Sequence, residues 1–187
     1  MNQQTYHPRA MRESELLRQI YRANDQLGQQ ITIPPGDDMG GIMIGGVEVL
    51  AAVDQLVAAR HFDLARTPIE LIGRKAVTRN LSDIAAMAAR PVASLAAGVL
   101  PPNFGASRAN ELFEAMRRTA AAYGCPLIGG DLAFHSDPEH PLTLTVTVLA
   151  QPIDAAHPPV RRTGARPGDR LYVTGKLGGT LKDDGLG

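Results

Sequence analysis

Apolar residues recur along this chain with two different spacings, one typical of helices and one typical of strands. Helical spacing predicts helices at 15–26, 69–89 and 107–123. Pro68 suits the first turn of the second helix, and Pro91 marks the end of it. These boundaries separate the chain into alternating helical and strand-like segments.

The middle of the second predicted helix contains weak helix formers. Asn80 and Ser82 both have side chains that compete for backbone hydrogen bonds. We therefore expect a break or a functional surface close to Asp83.

Strand-like patterns lie between and after the helices. Residues 42–44 and 47–53 flank Gly45-Gly46, a pair typical of a two-residue hairpin turn. Residues around Cys125 read as the start of a strand that reaches a turn at Asp131. Further strands are predicted at 92–100, 142–149 and 170–174. This order predicts an α+β domain with one mixed or antiparallel sheet covered by helices.

Composition and charge limit the class of protein. The chain has 187 residues with 19 basic and 19 acidic side chains, so it lacks the basic excess of a nucleic-acid-binding protein. No apolar run approaches the length of a membrane span, and the N-terminus lacks the apolar core of a signal peptide. We expect a soluble, cytoplasmic protein with no nucleic-acid or membrane partner.

The single cysteine, Cys125, excludes an intrachain disulfide. Its neighbours, glycine on one side and proline and leucine on the other, favour a buried structural thiol over a nucleophile.

Several aspartates follow short segments of small or apolar residues. One such residue alone is typical of a turn or a helix cap. Together they indicate one oxygen-rich site of the kind that Mg²⁺ prefers, and Mg²⁺ commonly accompanies phosphates. The aspartates are Asp38 after Gly36-Asp37, Asp54 after 47–53, Asp83 after Asn80-Leu81-Ser82, and Asp131 after Gly129-Gly130. Lys75, Arg162 and Arg166 are cations that could offset the charge of a nucleotide.

Other residues keep two interpretations at this level. Asp37 fits a turn residue as well as a metal ligand, and His61 fits a packed or surface histidine. Phe113 lies on a helical apolar stripe, which favours a core position. Residues 175–180 are rich in glycine but lack the spacing of a phosphate-binding loop, so a flexible junction is preferred there.

An ordered series of motifs resembles that of the thiamine-monophosphate kinases, members of the ATP-dependent superfamily that includes aminoimidazole ribonucleotide synthetase. The matching stretches run in order through nearly the whole chain after residue 13. They are Gly36-Asp37-Asp38, residues 53–57 with His61-Phe62, residues 72–76, residues 80–87 with Pro91, residues 127–131, residues 162–169, and residues 172–175.

The resemblance implies transfer of the γ-phosphoryl group of ATP to thiamine monophosphate, giving thiamine diphosphate. It implies several Mg²⁺ ions held by Asp38, Asp54, Asp83 and Asp131. It also implies ATP contacts from Gly130, Asp131, Arg162 and Phe113, with His61 on the thiamine phosphate. No residue is assigned as a catalytic acid or base. The family implies a homodimer in which N-terminal sheets pair across the two-fold axis.

Within this family the chain corresponds to an N-terminal half. We expect a leader at 1–12, an ATP- and Mg-binding domain of the aminoimidazole ribonucleotide synthetase type at 13–174, and the start of a linker to a second domain at 175–187. The isolated chain is therefore expected to be weakly active or inactive.

The chain also departs from the family pattern. Ala52-Val53 stands where hydroxyl residues are common, and Ala88 stands where a glycine is usual. Two alternatives are another ATP-binding member of the superfamily and a noncatalytic, dimerising nucleotide-binding module.

Overall fold

The computed structural model describes residues 12–22 and 24–173. The predicted linker, and the predicted leader except Arg12, lie outside the described residues. The helices are α1 (Glu13–Tyr21), a short 3₁₀ helix (Asn24–Gln26), α2 (Ile69–Ala86) and α3 (Ala106–Ala122). The strands are β1 (Ile31–Ile33), β2 (Gly40–Ile44), β3 (Val47–Val57), β4 (Ala89–Leu100), β5 (Leu127–Phe134) and β6 (Thr143–Pro152).

The strands form one six-stranded mixed sheet in the order β1-β2-β3-β6-β4-β5. Neighbouring strands are antiparallel except β4 and β5, which are parallel. Strand β6 shows how the sheet is buried, because Leu144, Val146 and Val148 are fully covered while the threonines between them are only half-buried. Helices α2 and α3 supply the apolar residues that cover this face. The α+β class and the half-buried alternating strand are confirmed.

The predicted hairpin is present between β2 and β3. Gly45 and Gly46 have φ angles of 58° and 82°, the left-handed conformations that such a turn requires. Strand β3 continues to Val57, past the predicted end at Val53, because β6 pairs with it from Leu50 to Val57, which lies opposite Thr143. The prediction that Asp54 ends its strand is therefore wrong.

The prediction that Asp131 lies at a turn is also wrong. Strand β5 continues through Asp131 to Phe134 because β4 supplies partners as far as Leu100. No strand forms at 170–173, where Leu171 is fully exposed, and Thr174 lies outside the described residues.

Two helix predictions also need correction. Helix α1 ends at Tyr21, and the 3₁₀ helix replaces its expected last turn. Helix α2 has no break near Asp83, because Asn80 is fully buried and its Nδ2 donates to the Ala76 carbonyl at 3.3 Å. None of the helices described within 12–22 and 24–173 is long and apolar enough to cross a bilayer.

Helices α2 and α3 make close contact at Gly73. A Cβ atom at Gly73 would lie 2.7 Å from the Leu112 carbonyl oxygen and 2.8 Å from Ala115 Cβ. Backbone atoms of α3 occupy the space that a side chain would need. The glycine therefore sets how closely the two helices approach over the sheet.

We expect Gly73→Val to destabilise the fold by at least about 2 kcal/mol, since its side chain would force the helices apart. The matched control is Arg74→Val on the exposed side of the same helix, with an expected loss below about 0.5 kcal/mol. Urea denaturation measures both. A loss at Gly73 no larger than the loss at Arg74 would contradict the packing argument.

Candidate functional site

Three aspartates from separate elements converge on the helix-covered side of the sheet. Asp38 lies in the loop before β2, Asp54 lies in β3, and Asp83 lies in α2. The β2–β3 pairing places Gly40 opposite Ala51 and so holds the loop beside Asp54. The charges of Asp38 and Asp54 are both close enough to Asp83 to act on its carboxylate.

The pKa of Asp83 reports this crowding of negative charge. Burial, followed by the charges of Asp54 and Asp38, raises the pKa of Asp83 to about 6. Arg79 and Arg162 oppose the rise but do not cancel it. Within the described residues Asp83 forms no ion pair, so its charge is left the least compensated of the three.

Arginines pair with the other two carboxylates. Arg79 Nη2 on α2 lies 3.3 Å from Asp54 Oδ2, and both side chains are one-third exposed. Arg162, after β6, pairs with Asp38 through its guanidinium group. As arranged, the described residues contain no group of three or more acidic, histidine or cysteine side chains that could hold one metal ion together.

Asp37 forms hydrogen bonds that hold the segment containing Arg162 in place. Its Oδ2 accepts from Arg161 Nε at 2.5 Å, and its Oδ1 accepts from the Arg162 backbone N–H at 3.1 Å. Burial acts to raise the pKa of Asp37, but the bonds and charge from Arg161 outweigh it and lower the pKa. The buried Asp37 side chain thus holds residues 161–162 against the loop and presents Arg162 to Asp38.

His61 lies on the loop between β3 and α2. Its Nδ1 accepts from the Val57 N–H at 2.9 Å, and its carbonyl accepts from Lys75 Nζ at 2.9 Å. Burial, with the charges of Arg79, Arg60 and Lys75, lowers the pKa of the imidazole. The ring is therefore neutral at pH 7, with its proton on Nε2.

A cleft of about 850 Å³ begins at His61. Its walls mix apolar and polar groups and include Arg60, Phe104, Arg108 and His140. Helix α2 connects this cleft to the acidic residues, because Lys75, Arg79 and Asp83 recur every four residues along one side of it.

The structure does not bring Asp131 to the other three aspartates. Strand pairing aligns Asp54, Val146, Ala96 and Gly130 in one row across the sheet. Gly130 is thus three strands, or about 14 Å, from Asp54. Asp131 pairs with Ala97, whose side chain belongs to the opposite face, so the metal role of Asp131 stays a prediction.

Gly130 itself tolerates no side chain. A Cβ atom there would lie 1.7 Å from the Ala96 carbonyl oxygen. Phe113 is half-buried on α3 and packs on the core next to Gly98, where a Cβ atom would lie 3.2 Å from its ring. The predicted ATP contacts of Gly130 and Phe113 stay predictions.

Cys125 is fully buried, and burial raises the pKa of its thiol, as a structural cysteine requires. Of the other cations predicted to offset the charge of a nucleotide, Arg166 is exposed and Lys75 is half-buried beside His61.

Sequence reasoning missed Arg79 and Arg161. Arg79 could have been found, because it lies four residues before Asp83 on a predicted helix. Arg161 gave no such signal, since its partner Asp37 is 124 residues away.

Comparison with known proteins places the chain among relatives of similar sequence and fold. It is 34% identical to the thiamine-monophosphate kinase of Rhodopirellula baltica over 160 residues, which cover 81% of this chain and 48% of that protein. It is 36% identical to the thiamine-monophosphate kinase of Bacillus subtilis over 133 residues, which cover 71% of this chain and 39% of that protein. The chain thus spans about half the length, or less, of these relatives.

Among solved structures, AaThiL complexed with AMPPCP and TMP shares the fold with a TM-score of 0.71. The match covers 88% of this chain and 48% of that one at 23% identity, a level that supports the fold alone. Residues 36–151 match the family of AIR synthase related proteins over their N-terminal domain. The chain therefore belongs to the AIR synthase related family and carries its N-terminal domain.

Proposed function

We propose that this chain is the ATP- and magnesium-binding part of a thiamine-monophosphate kinase, which phosphorylates thiamine monophosphate to thiamine diphosphate with ATP. The observation that carries this proposal is the convergence of Asp38, Asp54 and Asp83 from three separate elements. Similarity to thiamine-monophosphate kinases over most of the chain supports it.

Magnesium fits the donor set of this site. Asp38, Asp54 and Asp83 offer hard oxygen ligands, and the raised pKa of Asp83 marks negative charge that a cation would relieve. When bound, magnesium would neutralise and orient the phosphate groups between which the phosphoryl group moves. Asp131 is proposed as a further ligand.

The remaining site residues would bind and orient the two substrates. Arg162, together with Gly130 and Asp131, would contact ATP, and Phe113 would lie against adenine. His61 is suited to thiamine monophosphate, because a neutral imidazole with its proton on Nε2 can donate to a phosphate oxygen. Positioning and charge stabilisation suffice for phosphoryl transfer, so no side chain is needed as a catalytic base.

A homodimer is part of the same proposal. The face of the sheet opposite α2 and α3 exposes apolar side chains, with Val53 60% and Leu95 38% accessible. Covering them with a second copy of the sheet would remove apolar surface from water.

A noncatalytic nucleotide-binding module is the second candidate. It is favoured by Arg79 and Arg162, whose positive charges pair with two of the three carboxylates that a metal ion would need. A kinase would release ADP only when thiamine monophosphate is present, whereas a module would bind nucleotide without turnover.

The functional test is thermal stability with Mg²⁺ and a nonhydrolysable ATP analogue, followed by ADP release from ATP with and without thiamine monophosphate. We expect a Mg²⁺-dependent stabilisation of roughly 2–3 kcal/mol at 100-fold excess over Kd. A folded sample with no Mg²⁺-dependent shift would contradict nucleotide binding by this chain. Nucleotide binding without ADP release in the presence of thiamine monophosphate would favour the noncatalytic nucleotide-binding module.

Asp54→Asn should weaken Mg²⁺ binding in the presence of the analogue by roughly tenfold or more, since a metal ligand loses its charge. Folding should change by less than about 1 kcal/mol, because the ion pair with Arg79 is partly exposed. Asp137→Asn is the control, as this exposed loop residue keeps an oxygen for the Glu139 N–H. Calorimetric titration with Mg²⁺ measures the affinity of both variants. Equal affinities for Asp54→Asn and Asp137→Asn would refute the role of Asp54.

Asp83 predicts a dependence on pH. The pKa of Asp83 in the folded chain, about 6, lies above the usual value of 3.8. Folding is therefore favoured while the carboxyl is protonated. This stabilisation is lost as pH rises from about 4 through 6. Asp83→Asn should therefore stabilise the metal-free protein at pH 7.5 and do so about half as much at pH 5. Urea denaturation at both pH values tests this, and an equal effect at the two would show that the charge is not responsible. The Mg²⁺ affinity of the unaltered chain should fall as pH is lowered through this range, since protons then compete with the ion for the carboxylate.

A further inference from the structure

The guanidinium group of Arg79 lies within the acidic site. Its Nη2 contacts Asp54 Oδ2 at 3.3 Å. Its Nε is buried, and no residue in the described part of the chain accepts a hydrogen bond from it. This arginine therefore brings a positive charge to a predicted metal ligand and keeps one donor for a further acceptor.

Arg79 and Arg162 compensate the site in different ways. Arg162 lies in an irregular segment, and its side chain is 57% exposed. Arg79 projects from the interior of the 18-residue helix α2, beside the fully buried residues Val77 and Asn80. A bound ligand can displace the first cation by moving a surface side chain, whereas the backbone of the second is held in a helix and its side chain is less exposed, at 34%.

Apart from Asp38 and Asp83, the residues next to Asp54 in β3 offer it no side-chain oxygen on its own side of the sheet. Ala52, its neighbour on the same face of β3, packs against the core and has no side-chain oxygen. Val53 points to the opposite face of the sheet, where it is 60% exposed. Asp54 thus has the cation of Arg79 beside it and no side-chain oxygen from the two residues just before it, which is a poor environment for a further divalent ion besides the one it would share with Asp38 and Asp83.

We propose that Arg79 takes the place of one divalent cation at Asp54, so that the site binds one ion fewer than it would with an uncharged residue at this position. The inference rests on the proposed function, which supplies the divalent cations. The remaining Nε–H of Arg79 is suited to a phosphate oxygen of the bound nucleotide.

Counting bound Mn²⁺ by electron paramagnetic resonance, with saturating AMPPCP, tests the proposal. Arg79→Met should bind one more Mn²⁺ per chain than the unaltered protein, and its first ion should bind roughly tenfold more tightly or better, since a nearby positive charge is gone. Arg79→Lys keeps the charge and should keep the original number. Arg74→Met, on the exposed side of the same helix, should also leave the number unchanged.

An unchanged ion count in Arg79→Met would overturn the proposal, as would an additional ion in Arg79→Lys. If Arg79→Met does not fold, Arg79→Gln provides the same removal of charge with a polar side chain of similar size. Absence of Mn²⁺ from the unaltered chain would contradict the proposed function instead. Even then, an ion gained only when the charge of Arg79 is removed would support its role as the substituting cation.

Discussion

The negative charge that Asp38 and Asp54 bring close to Asp83 is the constraint around which this part of the molecule is arranged. The three carboxylates meet on the covered side of the sheet, where desolvation strengthens their interaction. The fold places cations beside two of them, and the third has a raised pKa. Such an arrangement costs stability in the absence of a ligand, and it is typical of sites in which a bound cation restores the balance.

Arg79 and Arg162, which pair with Asp54 and Asp38, are positioned by different parts of the fold. Helix α2 supplies Arg79, and Gly73 determines how closely this helix packs against α3. The ion pair between the buried Asp37 carboxylate and the exposed Arg161 positions Arg162, because it holds the segment after β6 against the loop before β2. One cation thus depends on helix packing, and the other depends on a contact between residues far apart in sequence.

Local sequence patterns correctly predicted the elements whose conformation depends on residues adjacent in sequence. The glycines of the β2–β3 turn and the threonine alternation of β6 are examples. Strand ends were harder to predict, because the end of β3 is set by its pairing with β6 and the end of β5 by its pairing with β4. Asp54 and Asp131 were therefore placed at strand ends although both lie within strands.

In the candidate site, too, local patterns predicted some features, and contacts between distant elements determine the others. Motif order singled out Asp38, Asp54, Asp83 and Asp131, and the structure brings the first three together but not Asp131. Their compensation by Arg79 and the fastening by Asp37 depend on distances between elements, which no local pattern contains.

The position of each charge along α2 connects the cleft at His61 to the three carboxylates. Lys75 contacts the His61 carbonyl, Arg79 pairs with Asp54, and Asp83 remains without an ion pair among the described residues. Because these residues are four apart on one helix, their order along the site is fixed by the helix itself. Positive charge therefore lies near His61, where a phosphate group would be attracted, and uncompensated negative charge lies near Asp83, where a metal ion would be attracted. A single rigid element can in this way hold an anion and a cation at a set separation, which is the arrangement that phosphoryl transfer requires of a site that works by positioning.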